Sequence, residues 1–529
     1  MSIEERLRDH LRQEAADLER RGEGPARAMK KGRSIMIRRR LLAAFGGAFV
    51  VTASIAGVLS LGSVFDDGPT TGVPGTGGDA ASEQAVAVPA QGAELEWYTV
   101  PGTLGFTKKF VTGADGTIYA LSTAPGQRFE NGFAQPAIYT SDDAESWAFA
   151  VLDDSLSAND LAERDGTLYL IGTAPGAVDA SPRLQVAASD DGGETWDVTD
   201  IPVTATPPDL PSFGTFANSW IVAGERGVLA AVQTTFVVDY AALLPEGMRG
   251  DNVGVEPTDS GVIVMDYASV DDQGNPAIIE ELTWADLGID APGASSAGEL
   301  FLVEDGGGLH RVESPVDSGP GIAGVYAVDD GFLVVENPGF DAEFARRLEL
   351  GQPDQQAPGV TVWSSADGAS WEAEEGLPAM DWVQAAGSHG GDTVIVGMSG
   401  GSPIVAWQQG GSWETVDLQE TLFGDPKLDD PRVNLDAPNG ESWISSAAIG
   451  PLGVALAVGG FDAAAQQEQI FLVVGTSPDV WTLTPDLVPR GQGFIDGLVV
   501  GETSIVGRMV QYGANRPSVN LQIVGTPVR

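Results

Sequence analysis

The chain has 529 residues, of which 43% are hydrophobic and none is cysteine. It must therefore be held by apolar cores, without disulfides, thiolate metal sites or cysteine nucleophiles. Its charge is divided: residues 1–40 hold 12 Lys+Arg against 7 Asp+Glu, and the other 489 residues hold 16 against 68. So acidic a surface repels phosphate backbones and excludes nucleic acid as a partner of the larger part.

In chain order, Ile3, Leu7, Leu11, Ala15 and Leu18 recur at helical spacing and predict a short amphipathic helix within the basic segment 1–40. From Leu41 to Phe65 there are 25 residues without a charge. As a helix they span about 37 Å, enough to cross a hydrocarbon layer of about 30 Å. Arg38, Arg39 and Arg40 precede the run, and Asp66 and Asp67 follow it. The positive-inside rule then places residues 1–40 in the cytoplasm and the rest outside, anchored in the cell membrane by a single pass. A signal peptide cleaved after Ala56 is the rival, but that leader is unusually long and the apolar run continues past it. Residues 66–95 are rich in Gly, Pro, Thr and Ala without periodicity and read as a flexible linker.

From Glu96 the sequence repeats. "DGTIYALSTAPG" at 115–126 returns as "DGTLYLIGTAPG" at 165–176, each a turn, a strand and a second turn. Weaker copies begin at Arg226, Asp330, Gly391, Leu452 and Gly501. An acidic glycine turn ending in tryptophan repeats in step with them. "SDDGGETW" ends at Trp196, "TSDDAESW" at Trp147 and "SADGASW" at Trp371, with degenerate forms ending at Trp413 and Trp481. Strand-rich units at this period predict an all-β β-propeller over 96–529, of seven blades or six. The terminal strand in "SVNLQIVGTPVR" has no following strand of its own, so Trp97–Val100 is expected to pair antiparallel with it and join the two ends of the domain.

Ser189, Asp191, Gly193, Thr195 and Trp196 match the Asp-box, or bacterial neuraminidase repeat. Thr140, Asp142, Ala144, Ser146 and Trp147 match with conservative departures, and Ser365, Asp367, Ser370 and Trp371 form a version one residue shorter. The chain therefore resembles sialidase-like β-propellers and, more loosely, membrane-anchored propellers of actinobacteria. The resemblance implies that each box is a hairpin turn between outer strands, with the aspartate capping backbone amides and the tryptophan packing between blades. Chemistry agrees: an Asp among glycines accepts backbone N–H bonds, and a Trp supplies a large apolar area. The boxes are thus read as structural, not as acid/base or metal sites.

The resemblance also raises glycan cleavage, which in that family needs an arginine cluster, a Tyr–Glu pair and an Asp. No such set can be assembled from the sequence: the Arg-Ile-Pro signature before the first box is missing, and Arg183 is followed by Leu-Gln. His10, His310 and His389 lie at no metal-ligand spacing, no phosphate-cradling loop occurs, and no cofactor is expected. The acidic loop holding Asp271, Asp272 and Asn275 lacks the spacing and closing Glu of a calcium loop. Residues 235–300 depart longest from the repeat, and Tyr240, Met248, Tyr267 and Trp284 there supply apolar contacts for a partner or for a small core of their own. The leading expectation is a non-catalytic propeller that binds a protein or glycan outside the membrane. The alternatives are a sialidase-like glycoside hydrolase and an envelope sensor that signals through its cytoplasmic tail.

Overall fold

The computed structural model describes residues from Leu95 onward, apart from short stretches in connections and the longer ones at 175–182, 205–211, 338–358, 422–441 and 485–492. The expected cytoplasmic helix and the run 41–65 lie outside the described residues. No helix among the described residues is long and apolar enough to cross a membrane.

The described chain folds into seven four-stranded antiparallel sheets and one three-stranded sheet. We number the four-stranded sheets 1 to 6 by residues 109–151, 157–200, 212–312, 321–373, 382–417 and 442–484. Sheet 7 combines residues 493–527 with Leu95–Pro101. In sheets 1 to 6 the strands lie side by side in chain order, and the first strand of each sheet lies beside the first strand of the next. The first strand of sheet 7 returns to that of sheet 1, so the seven inner strands close a ring about one axis. This is a β-propeller.

Seven apolar cores fill the seven gaps between neighbouring sheets, from sheets 1 and 2 round to sheets 7 and 1. The period-2 geometry of a strand explains the composition of the second strands. In Asp392–Ser399, Val394 and Val396 face the core shared with sheet 6, while Ile395 faces the core shared with sheet 4. Both faces are buried, so these strands read as continuous apolar runs rather than alternating ones, as in "TLYLIGT" and "GVALAV".

Ring closure follows the sequence expectation. Leu95–Pro101 is the outermost strand of sheet 7 and pairs antiparallel with Arg516–Pro527, with Trp97 opposite Gly525 and Val100 opposite Gln522. Trp97 and Leu95 pack on the core between sheets 6 and 7, and Tyr98 and Val100 on the core between sheets 7 and 1. The Gln522 side chain also donates a 2.8 Å hydrogen bond to the carbonyl of Ala144 in sheet 1.

Antiparallel order sorts the connections onto two faces. Turns between first and second strands, and between third and fourth, share one face and are all short, such as 165–166, 190–196, 390–391 and 410–411. The strand ends that flank every long connection, including those at 239–295, 338–360 and 418–441, lie on the other face. The described chain enters on the short-turn face, because Leu95 lies opposite Pro527 at the end of a third strand.

Candidate binding face and axial cluster

The acidic turns sit on the short-turn face. In the turn 190–196 the Asp191 carboxylate accepts from the amides of Glu194 and Thr195 at 2.9 Å each, from the Thr195 hydroxyl at 2.6 Å and from the Ser189 hydroxyl at 2.8 Å. Ser189 Oγ accepts from the amide of Gly193, a residue at φ +95° where a glycine is unstrained. Trp196 donates its indole N–H to the Gly193 carbonyl at 3.1 Å and packs on the core between sheets 1 and 2. Asp367 is held in the same way by the amides of Ala369 and Ser370, and Trp371 packs between sheets 3 and 4.

The first turn corrects the sequence assignment. Its amide-accepting carboxylate is Asp143, not Asp142: Asp143 Oδ1 takes the amides of Glu145 and Ser146 at 2.8 and 2.7 Å and the Ser141 hydroxyl at 3.1 Å. The frame Ser141, Asp143, Ser146, Trp147 has the spacing of Ser365, Asp367, Ser370, Trp371. Asp142 instead accepts from the Thr117 hydroxyl across the sheet, just as Asp190 accepts from Thr167. Turn 190–196 is one residue longer than the other two. In the shorter turns the buried indole nitrogens of Trp147 and Trp371 find no acceptor among the described residues, whereas that of Trp196 does.

These hydrogen bonds shape the electrostatics. The Ser146 and Glu145 amides hold the Asp143 carboxyl down at about 2, the Thr195 hydroxyl and amide hold Asp191 far below the usual carboxylate range, and the Ser370 and Ala369 amides lower Asp367. The carboxylate oxygens are thus directed into their own turns. Among the described residues no three His, Cys, Asp or Glu side chains gather as a metal site would require. An open cleft beside Thr167, Tyr169, Asp190 and Asp197 borders the second turn.

The opposite face carries the insertion. Its three strands, Val253–Thr258, Gly261–Val270 and Pro276–Thr283, pair in that order. A core of Leu244, Val262, Val264 and Trp284 lies against them, with Tyr240 and Met248 packed on it. The structure therefore separates the four apolar residues singled out from the sequence. Trp284 is buried and Tyr240 and Met248 are half-buried in this small core, while Tyr267 is exposed. Arg249 ties the segment together, donating to the carbonyls of Leu244 and Ala242 at 2.7 Å each.

A third feature lies on the axis. Six inner strands carry an irregularity in their pairing with the second strand, and in five of them it leaves Asn159, Ala323, Gln384, Ser445 or Gly497 without a residue opposite. Lys108 precedes the first strand of sheet 1 and reaches sheet 2, donating to the Ala158 carbonyl at 2.7 Å, and Asn159 donates to Ser219 of sheet 3 at 3.2 Å. Asp160 is buried, accepts the amide of Ile221 at 3.0 Å and lies 3.4 Å from the Lys109 ammonium. Burial lowers Lys108, partly offset by the Asp160 charge, and raises Tyr326 beyond the ordinary phenol range, with Asp160 adding to the shift. The Lys108 side chain is exposed to water, although protein surrounds it closely enough to lower its pKa. Lys108, Asp160 and Tyr326 thus converge from sheets 1, 2 and 4. Nothing in the sequence marks them, because their meeting depends on ring closure.

Three arginines pair with carboxylates in separate sheets. Arg183 pairs with Asp200 at 2.6 Å, Arg311 with buried Glu299 at 3.0 Å, and Arg508 with Asp496 at 2.5 Å. These pairs belong to sheets 2, 3 and 7.

No protein-family model and no curated protein matches the sequence. Among solved structures the chain is similar to an acylaminoacyl peptidase of Pyrococcus horikoshii, with 10% identity and a TM-score of 0.41 over 81% of this chain and 53% of the peptidase. It is also similar to the endosialidase of phage phi92, at 10% and 0.34 over 82% of this chain and 69% of that one. A third likeness is to the β-propeller domain of the trilobed protease from Pyrococcus furiosus, at 9% and 0.28 over 70% and 93%. The chain spans about half the length of the peptidase it matches. The propeller assignment rests on the strand pairing described above and not on these likenesses.

Proposed function

We propose that the protein is a single-pass, membrane-anchored, seven-bladed propeller that presents its long-loop face to a protein or glycan outside the membrane and binds it without catalysis. The observation that carries this reading is the sorting of connections. Everything the blades do not need, including the whole 239–295 insertion, leaves the ring on one face, and the chain enters on the other. Binding functions concentrate on loops held by a rigid scaffold. The acidic turns are Asp-boxes in this reading, and they close hairpins on the entry face. With residues 41–65 as the anchor, a linker of residues 66–94 has a root-mean-square span of about 30 Å. The entry face then looks toward the membrane and the loop face away from it.

The test uses the absence of cysteine from the chain. In intact cells an impermeant maleimide should label cysteines placed at Glu246 or Glu194 and spare one placed at Ser34. Labelling at Ser34, or recovery of a soluble product starting at Gly57, overturns the anchor. The glycan-cleaving alternative draws on the axial cluster, where a lysine, a carboxylate and a tyrosine converge from three sheets. Release of sugars from a glycoside panel that is lost in Tyr326→Phe would replace the binding reading with that one.

A further inference from the structure

The inserted sheet has three strands where every sheet of the ring has four. One of its edges, Val253–Thr258, lies against the turn Tyr240–Leu243. The other edge, Pro276–Thr283, carries four consecutive exposed residues, Ile278 to Glu281. Ile278 and Ile279 are 44% and 50% exposed, and Tyr267 on the neighbouring strand is 52% exposed. Only Phe149 and Val198 elsewhere among the described residues are large apolar side chains exposed to this degree. An irregularity in pairing places the two isoleucines side by side: Val264 lies opposite Glu280 and Met265 opposite Ile278, with Ile279 left over. Edge strands with apolar side chains are adhesive, and solitary proteins cover or charge them.

Charge selects what covers this one. Residues 239–295 hold twelve carboxylates and one basic residue, Arg249, whose guanidinium is directed to the carbonyls of Leu244 and Ala242. The segment therefore offers little to an anionic partner. A second copy, as acidic as the first, is repelled. We propose that the edge strand Pro276–Thr283 is the docking site for a basic, extended segment of a partner protein. Its apolar side chains cover Ile278, Ile279 and Tyr267, and its lysines or arginines meet Glu280 and the surrounding carboxylates. Strand addition of this kind draws affinity from main-chain hydrogen bonds and selectivity from alternate side chains. The proposal rests on the loop face being a binding face and assigns that face a partner.

The experiment uses the full chain in phosphatidylcholine nanodiscs and three fluorescein-labelled peptides, (Lys-Val)6, (Lys-Ser)6 and (Glu-Val)6, followed by anisotropy. The first should bind, the second at least tenfold more weakly, and the third not at all. Ile278→Ser with Ile279→Ser should weaken (Lys-Val)6 at least tenfold with an unchanged melting temperature, while Asp190→Asn on the opposite face should leave it unchanged. Equal binding of (Lys-Val)6 and (Lys-Ser)6 would mean mere ionic adherence and overturn the proposal, as would equal binding of (Glu-Val)6. If the double serine variant binds normally but replacing residues 338–358 by a short Gly-Ser linker abolishes binding, the edge is refuted and the loop-face reading stands. If neither change matters, both are refuted.

Discussion

Substituting alanine for Gly525 probes the closure of the ring. A Cβ at that position would lie 2.6, 2.7 and 2.8 Å from three ring carbons of Trp97, where ordinary carbon contacts are about 3.5–4.0 Å. The indole must move by about 1 Å or the pair of strands must part, at a cost of about 1–3 kcal/mol for overpacking. In a Trp97→Ala background the same change meets no ring, and alanine in a strand then gains about 0.5–1 kcal/mol over glycine. The two substitutions should therefore couple by about 1.5–4 kcal/mol in a double-mutant cycle. Trp97→Ala alone removes a half-buried aromatic and should cost less than the roughly 3–5 kcal/mol of a fully buried one. Heat is a poor readout: with unfolding entropy near 2.1 cal/mol/K per residue, about 430 residues shift by only about 1 °C per kcal/mol. Urea denaturation followed by circular dichroism resolves the four proteins better. If the single effects add to within about 0.5 kcal/mol, Trp97 does not lie on Gly525 and the closure by Leu95–Pro101 is wrong.

Four other outcomes are expected. An ectodomain starting at Gly105 should aggregate or denature at much lower urea than one starting at Ala93, because it leaves Arg516–Pro527 as an open edge; equal midpoints would contradict this. The depressed carboxyls of Asp143, Asp191 and Asp367 stabilise the fold above the unfolded value of about 3.9, and that contribution is lost as pH falls toward 2. The urea midpoint should therefore drop below pH 4, with a shallower drop in Asp143→Asn but not in Asp142→Asn; the reverse order would restore the Asp142 assignment. Arg508→Leu leaves Asp496, whose carboxyl burial already pushes up, without its cation, and should cost about 3–5 kcal/mol in urea, with much of the loss recovered when Asp496→Asn is added. Lys108 should acylate with a pH midpoint below the ordinary lysine value near 10.5, read by mass spectrometry in a chain with few lysines; a midpoint at or above that value would contradict its placement among the inner strands.

The elements legible in the sequence are those that local chemistry enforces. Gly-rich turns and runs such as "TLYLIGT" signal strands wherever both faces are to be buried, and the recurrence of these runs with tryptophan-ended turns indicates a ring. The odd strand "EWYTVPG" and the unpartnered terminal strand were recognisable as halves of one sheet, because a sheet with a missing strand leaves donors and acceptors unpaired. The insertion was visible as a break in period, but not the fate of its aromatics. Tyr240, Met248 and Trp284 lie in turns beside the sheet and pack inward through tertiary contacts, whereas Tyr267 lies on a strand, where the irregular pairing after Asp266 sets which face it takes.

The sequence offered two frames for the first turn, Asp142 at the spacing of Asp191 and Asp143 at the spacing of Asp367, and did not choose between them. Asp142 and Asp143 are chemically identical, and only the register of Ser141 and Ser146 around the turn brings one of them over the amides. The axial cluster lies furthest from any sequence signal. Lys108, Asp160 and Tyr326 are separated by 50 residues or more in their nearest blade-to-blade contact, on strands whose irregularities no propensity predicts. Sequence determines each blade because turns and strand faces are set by neighbours in the chain. What meets across the ring is decided by closure, which brings distant inner strands around a common axis.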